Sequence, residues 1–264
     1  SDLDLGYDST ASVSVTVRGE GSSLTGADFD YWSSLTVGMD GTANLLVENG
    51  GDVKIGADMA VGYRTGSRGT AVIRGSGTTV TVGDQFGINA SSNDGTYGDV
   101  LVDQGAGVTA QQLRMNGGTD QGGDLEVRGE GSVFHVTSEL LAEWGCNIVL
   151  NDGGMLKSDD STNVFQGSNL YLADGVFATR ESGFDFYDLT GEYSGNVFYY
   201  DGGAGEYVEA TEGDLTFTAG TGDLDGYTVV TAGSAIPEPT TFFSLALIGG
   251  ILVRMRRGLR RLCG

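Results

Sequence analysis

The sequence predicts an all-β protein. The expected architecture is a parallel β-solenoid (β-helix) of about seven coils, with a β-rich C-terminal cap and a single hydrophobic helix at the end. Three observations carry this. Glycine supplies 46 of 264 residues, yet 39% of the chain is hydrophobic and falls in short β-branched runs, which fits many tight turns around a core. A strand–turn–strand unit recurs along the chain. Only two prolines occur, as a fold needs when every coil's N–H groups pair with the next coil. Collagen is excluded, because no Gly-X-Y period exists.

The repeats occupy residues 1–180. "VTVRGEGSSL", "LLVENGGDVKI", "AVIRGSGTTVTV", "VLVDQGAGVTA", "LEVRGEGSVFHV", "IVLNDGGMLKS" and "LYLADGVFATR" each run from an apolar alternation through a polar glycine turn into a second strand. The last turn glycines are Gly21, Gly51, Gly77, Gly107, Gly131, Gly154 and Gly175, spaced 30, 26, 30, 24, 23 and 21 residues apart. That spacing suits one solenoid coil, with these glycines at corners. Seven coils stacked at ~4.8 Å would form a column of roughly 30 Å.

A third strand lies between these turns: "LTVG" (35–38), "MAVG" (59–62), "FGIN" (86–89), "LRMN" (113–116), "LLAE" (140–143) and "VFQG" (164–167). The fourth position reads Gly38, Gly62, Asn89, Asn116, Glu143, Gly167. Gly and Asn best tolerate a left-handed corner, so the chain is expected to turn there, with Asn89 and Asn116 able to stack as a ladder. Arg18, Arg74 and Arg128 each precede a turn glycine. Their equivalent places predict a surface stripe.

Residues 181–234 differ in character. Between 184 and 227 lie 10 of the chain's 22 Phe and Tyr residues. An aromatic segment of different spacing suits a cap, since a solenoid end exposes strand edges and an open core. The alternative is a platform on which sugars stack.

Charge and rare residues narrow the function classes. Net charge is −22, and residues 1–235 hold 35 acids against 9 bases. Such a body repels phosphate backbones, so nucleic acid is excluded as a partner. His135, in the alternating run "VFHVTS", reads as a strand-surface residue, and Cys146 and Cys263 sit in unrelated regions. Acid pairs such as Asp28 with Asp30 and Asp159 with Asp160 follow from composition, and Lys54 and Lys157 are the only lysines. No catalytic residue, metal ligand or cofactor is assigned. The acidic turns 222–226 and 91–99 lack the odd-position carboxylates of a calcium loop. Clustered Asp with Arg or Lys on one face would favour a polysaccharide-cleaving enzyme. An exposed row of coplanar aromatics would favour a polysaccharide-binding module.

Residues 235–264 form the third region. Pro237, Glu238 and Pro239 precede an apolar run containing Phe242, Phe243, Leu245, Leu247, Ile248, Ile251, Leu252 and Val253. Arg254, Arg256, Arg257, Arg260 and Arg261 follow, with no acid among residues 240–264. The prolines separate the domain from the following helix, and the arginines would fix its cytoplasmic side. Residues 240–253 span only about 21 Å as a helix, against a bilayer core of ~30 Å.

The order of PEP tripeptide, apolar helix and arginine cluster resembles the PEP-CTERM protein-sorting domain of Gram-negative bacteria. The run is short, and Met255, Gly258 and Leu259 interrupt the arginines. The resemblance implies export, transient inner-membrane anchoring, and processing by an exosortase, a membrane cysteine transpeptidase-like enzyme. It also implies a link to extracellular polysaccharide and biofilm. The repeats are similar to the glycine-rich repeats shared by autotransporter passenger domains and PEP-CTERM proteins, best in "LTVGMDGTANLLVENGGDVKI" (35–55). Together these imply a β-helix displayed outside the cell. The reading of the whole chain is a structural or adhesive component of the envelope or matrix and not an enzyme, with a polysaccharide-binding module and a polysaccharide-cleaving enzyme as the alternatives.

Overall fold

The computed structural model describes residues 2–26, 34–89, 95–116, 123–159, 164–190 and 195–233. Among the described residues are 22 strands, numbered in chain order; β1 to β19 wind a solenoid with three faces. The first face stacks β2 (Ser12–Arg18), β5 (Thr42–Glu48), β8 (Arg68–Arg74), β10 (Tyr97–Asp103), β12 (Asp124–Arg128), β14 (Asn147–Asn151), β17 (Asn169–Leu172) and β19 (Asn196–Asp201), all parallel.

The second face stacks β3 (Ser23–Thr25), β6 (Asp52–Ile55), the first halves of β9 (Thr79–Ile88), β11 (Gly107–Asn116) and β13 (Val133–Glu143), then β15 (Met155–Ser158) and β18 (Val176–Thr179). The third holds β1 (Leu3–Leu5), β4 (Leu35–Val37), β7 (Met59–Val61), the second halves of β9, β11 and β13, and β16 (Val164–Gln166). In the long strands the bend between faces is a register shift. One residue of β11, between Ala110 and Gln112, opposes two in both β9 and β13.

Period-2 alternation sends every second side chain into the column, where equivalent residues stack in files. One file runs Leu35, Met59, Phe86, Leu113, Leu140, and another Val53, Val80, Val108, Phe134, Leu156, Phe177. All of these are buried. Phe86 and Phe134 meet edge to face from adjacent faces, with centroids 5.3 Å apart.

The expected seven coils become six complete turns. The seventh has β17 and β18 but no third strand: α1 (Phe186–Thr190) packs against β16 and β19 instead and buries Leu189. Asp185 starts this helix by accepting the Tyr187 N–H, and Asp188 accepts the Asp185 N–H in return. A helix turn replaces a strand because the local capping pattern provides for one. After β19 the chain runs antiparallel: β20 (Glu206–Glu209) on β19, β22 (Thr228–Ala232) on β18, and β21 (Leu215–Ala219) on β22.

The corner glycines differ in conformation. Gly21, Gly77 and Gly131 have positive φ, each as the second glycine of a Gly-x-Gly turn. In the alternate coils the left-handed residues are the pairs Asn49–Gly50, Gln104–Gly105 and Asp152–Gly153, so Gly51 and Gly154 close their turns and Gly107 opens the next strand. Gly175 likewise has no positive φ. Gly154 is needed for closeness: a Cβ there would lie 2.2 Å from the Val127 carbonyl oxygen.

Two turn chemistries therefore alternate up the column, giving a period of two coils. At the other corner Gly38, Gly62, Asn89 and Gly167 are left-handed. Asn116 and Glu143 are not: each is the last extended residue of its strand, and in the latter coil Trp144 takes the positive φ.

Candidate functional site

Outward side chains also stack in files, and three files carry the polar chemistry. The first is the arginine stripe at the end of the first face. Register places Arg18, Glu48, Arg74, Asp103 and Arg128 in sequence, so basic and acidic residues alternate from coil to coil. Arg18 Nε and Nη2 reach Glu48 Oε1, while Arg74 Nε and Nη2 lie 2.8 and 2.6 Å from Oε2. Arg128 Nη2 lies 3.1 Å from Asp103 Oδ2, and its Nη1 lies 3.3 Å from Glu126 Oε1.

The hydrogen bond from Arg74 leads in holding the Glu48 carboxyl below the usual glutamate range. Burial opposes it, and Arg18 adds to it. For Arg128, burial works against the charge, but Asp103 and Glu126 outweigh it and raise the guanidinium further. The expected stripe is present. Its interleaved acids were missed, although "VENG" and "VDQG" set Glu48 and Asp103 before the turn exactly where "VRGEG" sets arginine.

A second file on the same face is an amide ladder. Asn147 Nδ2 donates to Asp124 Oδ1 (2.6 Å), Asn169 Nδ2 to Asn147 Oδ1 (2.9 Å), and Asn196 Nδ2 to Asn169 Oδ1 (3.1 Å). The asparagine ladder envisaged at Asn89 and Asn116 thus has a counterpart on another face. Its signal was the asparagine opening "NIVLN", "NLYL" and "NVFYY".

The third is a cluster on the second face near the antiparallel strands. His135, on β13, has Nε2 3.1 Å from Asp159 Oδ2, unaligned for a hydrogen bond. Tyr227 donates its hydroxyl to Asp159 Oδ1, and Arg180 Nε stands 3.6 Å from that oxygen. Lys157 Nζ and the Arg180 guanidinium each lie 4.8 Å from the Tyr227 ring centroid. Burial raises the Asp159 carboxyl, but Tyr227, His135 and Arg180 together outweigh it and hold it low.

This is the Asp-with-Arg-and-Lys grouping that would favour a cleaving enzyme. Its chemistry points elsewhere. Both carboxylate oxygens face protein partners, and the Tyr227 hydroxyl is spent on one of them. The cluster ties β22 to coils it follows by up to ninety-odd residues in sequence.

The aromatic segment turns its rings on each other. Tyr171 stacks on Phe198 with centroids 4.8 Å apart, and Tyr207 stands edgewise to both Tyr171 and Tyr200. Burial pushes the Tyr171 and Tyr207 phenols up, and nearby carboxylates add to it.

Cys146 is a buried free thiol, pushed up to about 12 chiefly by desolvation. Among the described residues no group of three metal-ligating side chains occurs, and no helix is long and apolar enough to cross a membrane. The sorting tripeptide Pro237–Glu238–Pro239, the apolar run and the arginine cluster lie outside the described residues, as do Asp28, Asp30, Asp160 and Cys263.

Fold and side-chain files together define a parallel β-solenoid repeat protein. No family model, curated protein or solved structure matches the chain.

Proposed function

We propose that this chain is an exported bacterial β-solenoid with a structural or adhesive role in the cell envelope or extracellular matrix. One observation carries the structural part: one file of alternating arginines and acids and one file of asparagines bond from coil to coil, in ladders that run along the column. A scaffold uses its polar groups this way, since ladders stiffen a stack that has only nearest-neighbour contacts. A polysaccharide-cleaving site needs open acids and bases, whereas the Asp159 cluster is closed on itself. That supports a non-enzymatic role.

The sorting part of the proposal rests on the PEP-CTERM resemblance of residues 235–264. The tail enters the inner membrane with its arginines cytoplasmic, the acidic body is on the exported side, and an exosortase-type enzyme removes the tail. Extracellular polysaccharide is the expected surrounding material. Replacing Pro237, Glu238 and Pro239 by alanine in an exosortase-containing host should leave insertion intact and block tail removal. Release of that variant at the parental rate would overturn the sorting proposal. Turnover of any neutral or acidic polysaccharide by the purified chain would overturn the non-enzymatic one.

A further inference from the structure

The two ends of the column are finished differently. At the C-terminal end the outermost strands, β20 and β21, run antiparallel to their neighbours, and β20 carries Glu206 and Glu209, charges of the kind that blunt an edge. At the other end β1, β2 and β3 make the first coil. Among the described residues each of these pairs on one side only, with β4, β5 and β6. β2 is the longest of the three, seven residues without proline, and its only charge is Arg18.

The open edge can be read residue by residue. Thr42 N donates to Ala11 O at 2.9 Å, and Gly19 N to Glu48 O at 3.1 Å. In a parallel ladder every second residue turns both backbone groups to the same neighbour, so Val13, Val15 and Val17 face β5. Ser12, Ser14, Thr16 and Arg18 therefore present their N–H and C=O groups to the open side. The mouth of the core lies beside them. Leu3 is 42% exposed, and Val13, Val15 and Leu24 are only partly buried. Their partners one coil on, Leu35, Ala43, Leu45 and Val53, are at most 1% exposed.

We propose that this end binds a second copy of the chain, first coil to first coil, about a two-fold axis that passes through Val15 perpendicular to the column. Such an axis reverses the strand direction of the second copy. β2 then pairs antiparallel with its mate, Ser14 opposite Thr16 and Ser12 opposite Arg18, while β1 of each copy meets β3 of the other. Val15 meets Val15 at the axis and Val13 meets Val17, so one contact closes both core mouths. No like charges oppose within β2, which matters for a chain of net charge −22, and Asp8, Arg18 and Glu20 at its margins are of both signs. The first coil, residues 3–25, brings 23 residues to the contact. A stable interface takes about 20–30 a side. A lone peptide strand would cover β2 but leave β1, β3 and the core mouth open. A head-to-tail filament would need a matching parallel edge at the other end, where β20 and β22 run antiparallel, so the assembly closes at two. The inference uses no residue of the tail, so its failure would leave the sorting proposal untouched, and the reverse.

The test is sedimentation velocity of the full chain in detergent, which should show a concentration-dependent dimer. Ser14→Pro removes an N–H that points away from β5, so the column should still fold, as circular dichroism checks, while the dimer Kd rises about tenfold or more. A second measurement does not depend on that variant folding. Val15→Cys, in a Cys263→Ser background, should give a disulfide-linked dimer on mild oxidation, because a residue on the axis faces its own mate at disulfide distance. Val208→Cys, on β20 at the other end, should not. A chain that is monomeric at every concentration, a dimer indifferent to Ser14→Pro, or equal cross-linking by the two cysteines would overturn the proposal. Filaments that lengthen with concentration would overturn it too, by showing head-to-tail contact.

Discussion

Arg74 reaches across one coil step to Glu48, with Nε and Nη2 2.8 and 2.6 Å from the same oxygen, Oε2. Glu48 is itself buried, next in sequence to the buried Val47, so two successive side chains of one strand are shielded. Alternation would put Glu48 in solvent. Arg18 and Arg74, from the coils on either side, pair with it and make its charge tolerable there.

A pH dependence follows. The folded Glu48 carboxyl titrates below its unfolded value, so it contributes stability in full above the ordinary glutamate range. That contribution is lost as pH falls through the depressed folded value. Glu48→Gln should therefore lower the urea midpoint at neutral pH, and the gap to the parent chain should close in acid. A gap that is constant across the titration would show that the carboxylate's charge is not what matters.

The glycines divide into two kinds that asparagine can separate. Gly77 has φ of 78° with open space around it, whereas a Cβ at Gly98 would sit 2.1 Å from the Val61 carbonyl oxygen. Asparagine tolerates the left-handed region, so Gly77→Asn should cost well under about 1 kcal/mol. Gly98→Asn must push two coils apart and should cost about 1–3 kcal/mol or more. Equal effects on thermal denaturation would contradict the distinction.

Phe134 should be the costliest single truncation in the column. It is fully buried and meets Phe86 edge to face. Phe134→Ala should cost about 3–5 kcal/mol, and Phe134→Leu clearly less, in urea denaturation. Similar losses for both would mean that the ring's shape and its contact with Phe86, more than buried volume, carry the stabilisation.

What could be read from the chain alone was local. The alternation in "VLVDQG" and "LEVRGEG" identifies inward positions such as Val100, Val102, Leu125 and Val127, and the recurring turn glycines set the coil length. What could not be read depends on stacking. Whether a turn is Gly-x-Gly or Asn–Gly is written in the sequence, but which of its residues is left-handed is set by the folded turn. Counting coils by turns gave seven, since the turn before Gly175 is present while the strand that should complete that coil is replaced by α1. Glu143 looked like a corner because it aligned with Gly62 and Asn89. The left-handed residue in its coil is one step later, at Trp144. The Asp159–Tyr227 contact links residues 68 apart and has no sequence signature.

That last contact makes a prediction about where the molecule opens. In a stack with nearest-neighbour contacts only, the terminal elements fray independently of the centre. Tyr227 lies at the foot of β22, buried, with its hydroxyl on Asp159 and its ring between Lys157 and Arg180. Tyr227→Phe keeps the ring and both cation contacts but removes a hydrogen bond to a charged acceptor, a loss of about 1.5–3 kcal/mol. Amides of β21 and β22 should then exchange roughly ten- to a hundredfold faster. Amides of β5, β8 and β10, several coils away, should keep their rates. Uniform acceleration over all these strands would mean that the column unfolds as one unit and that the antiparallel end is not held by this contact.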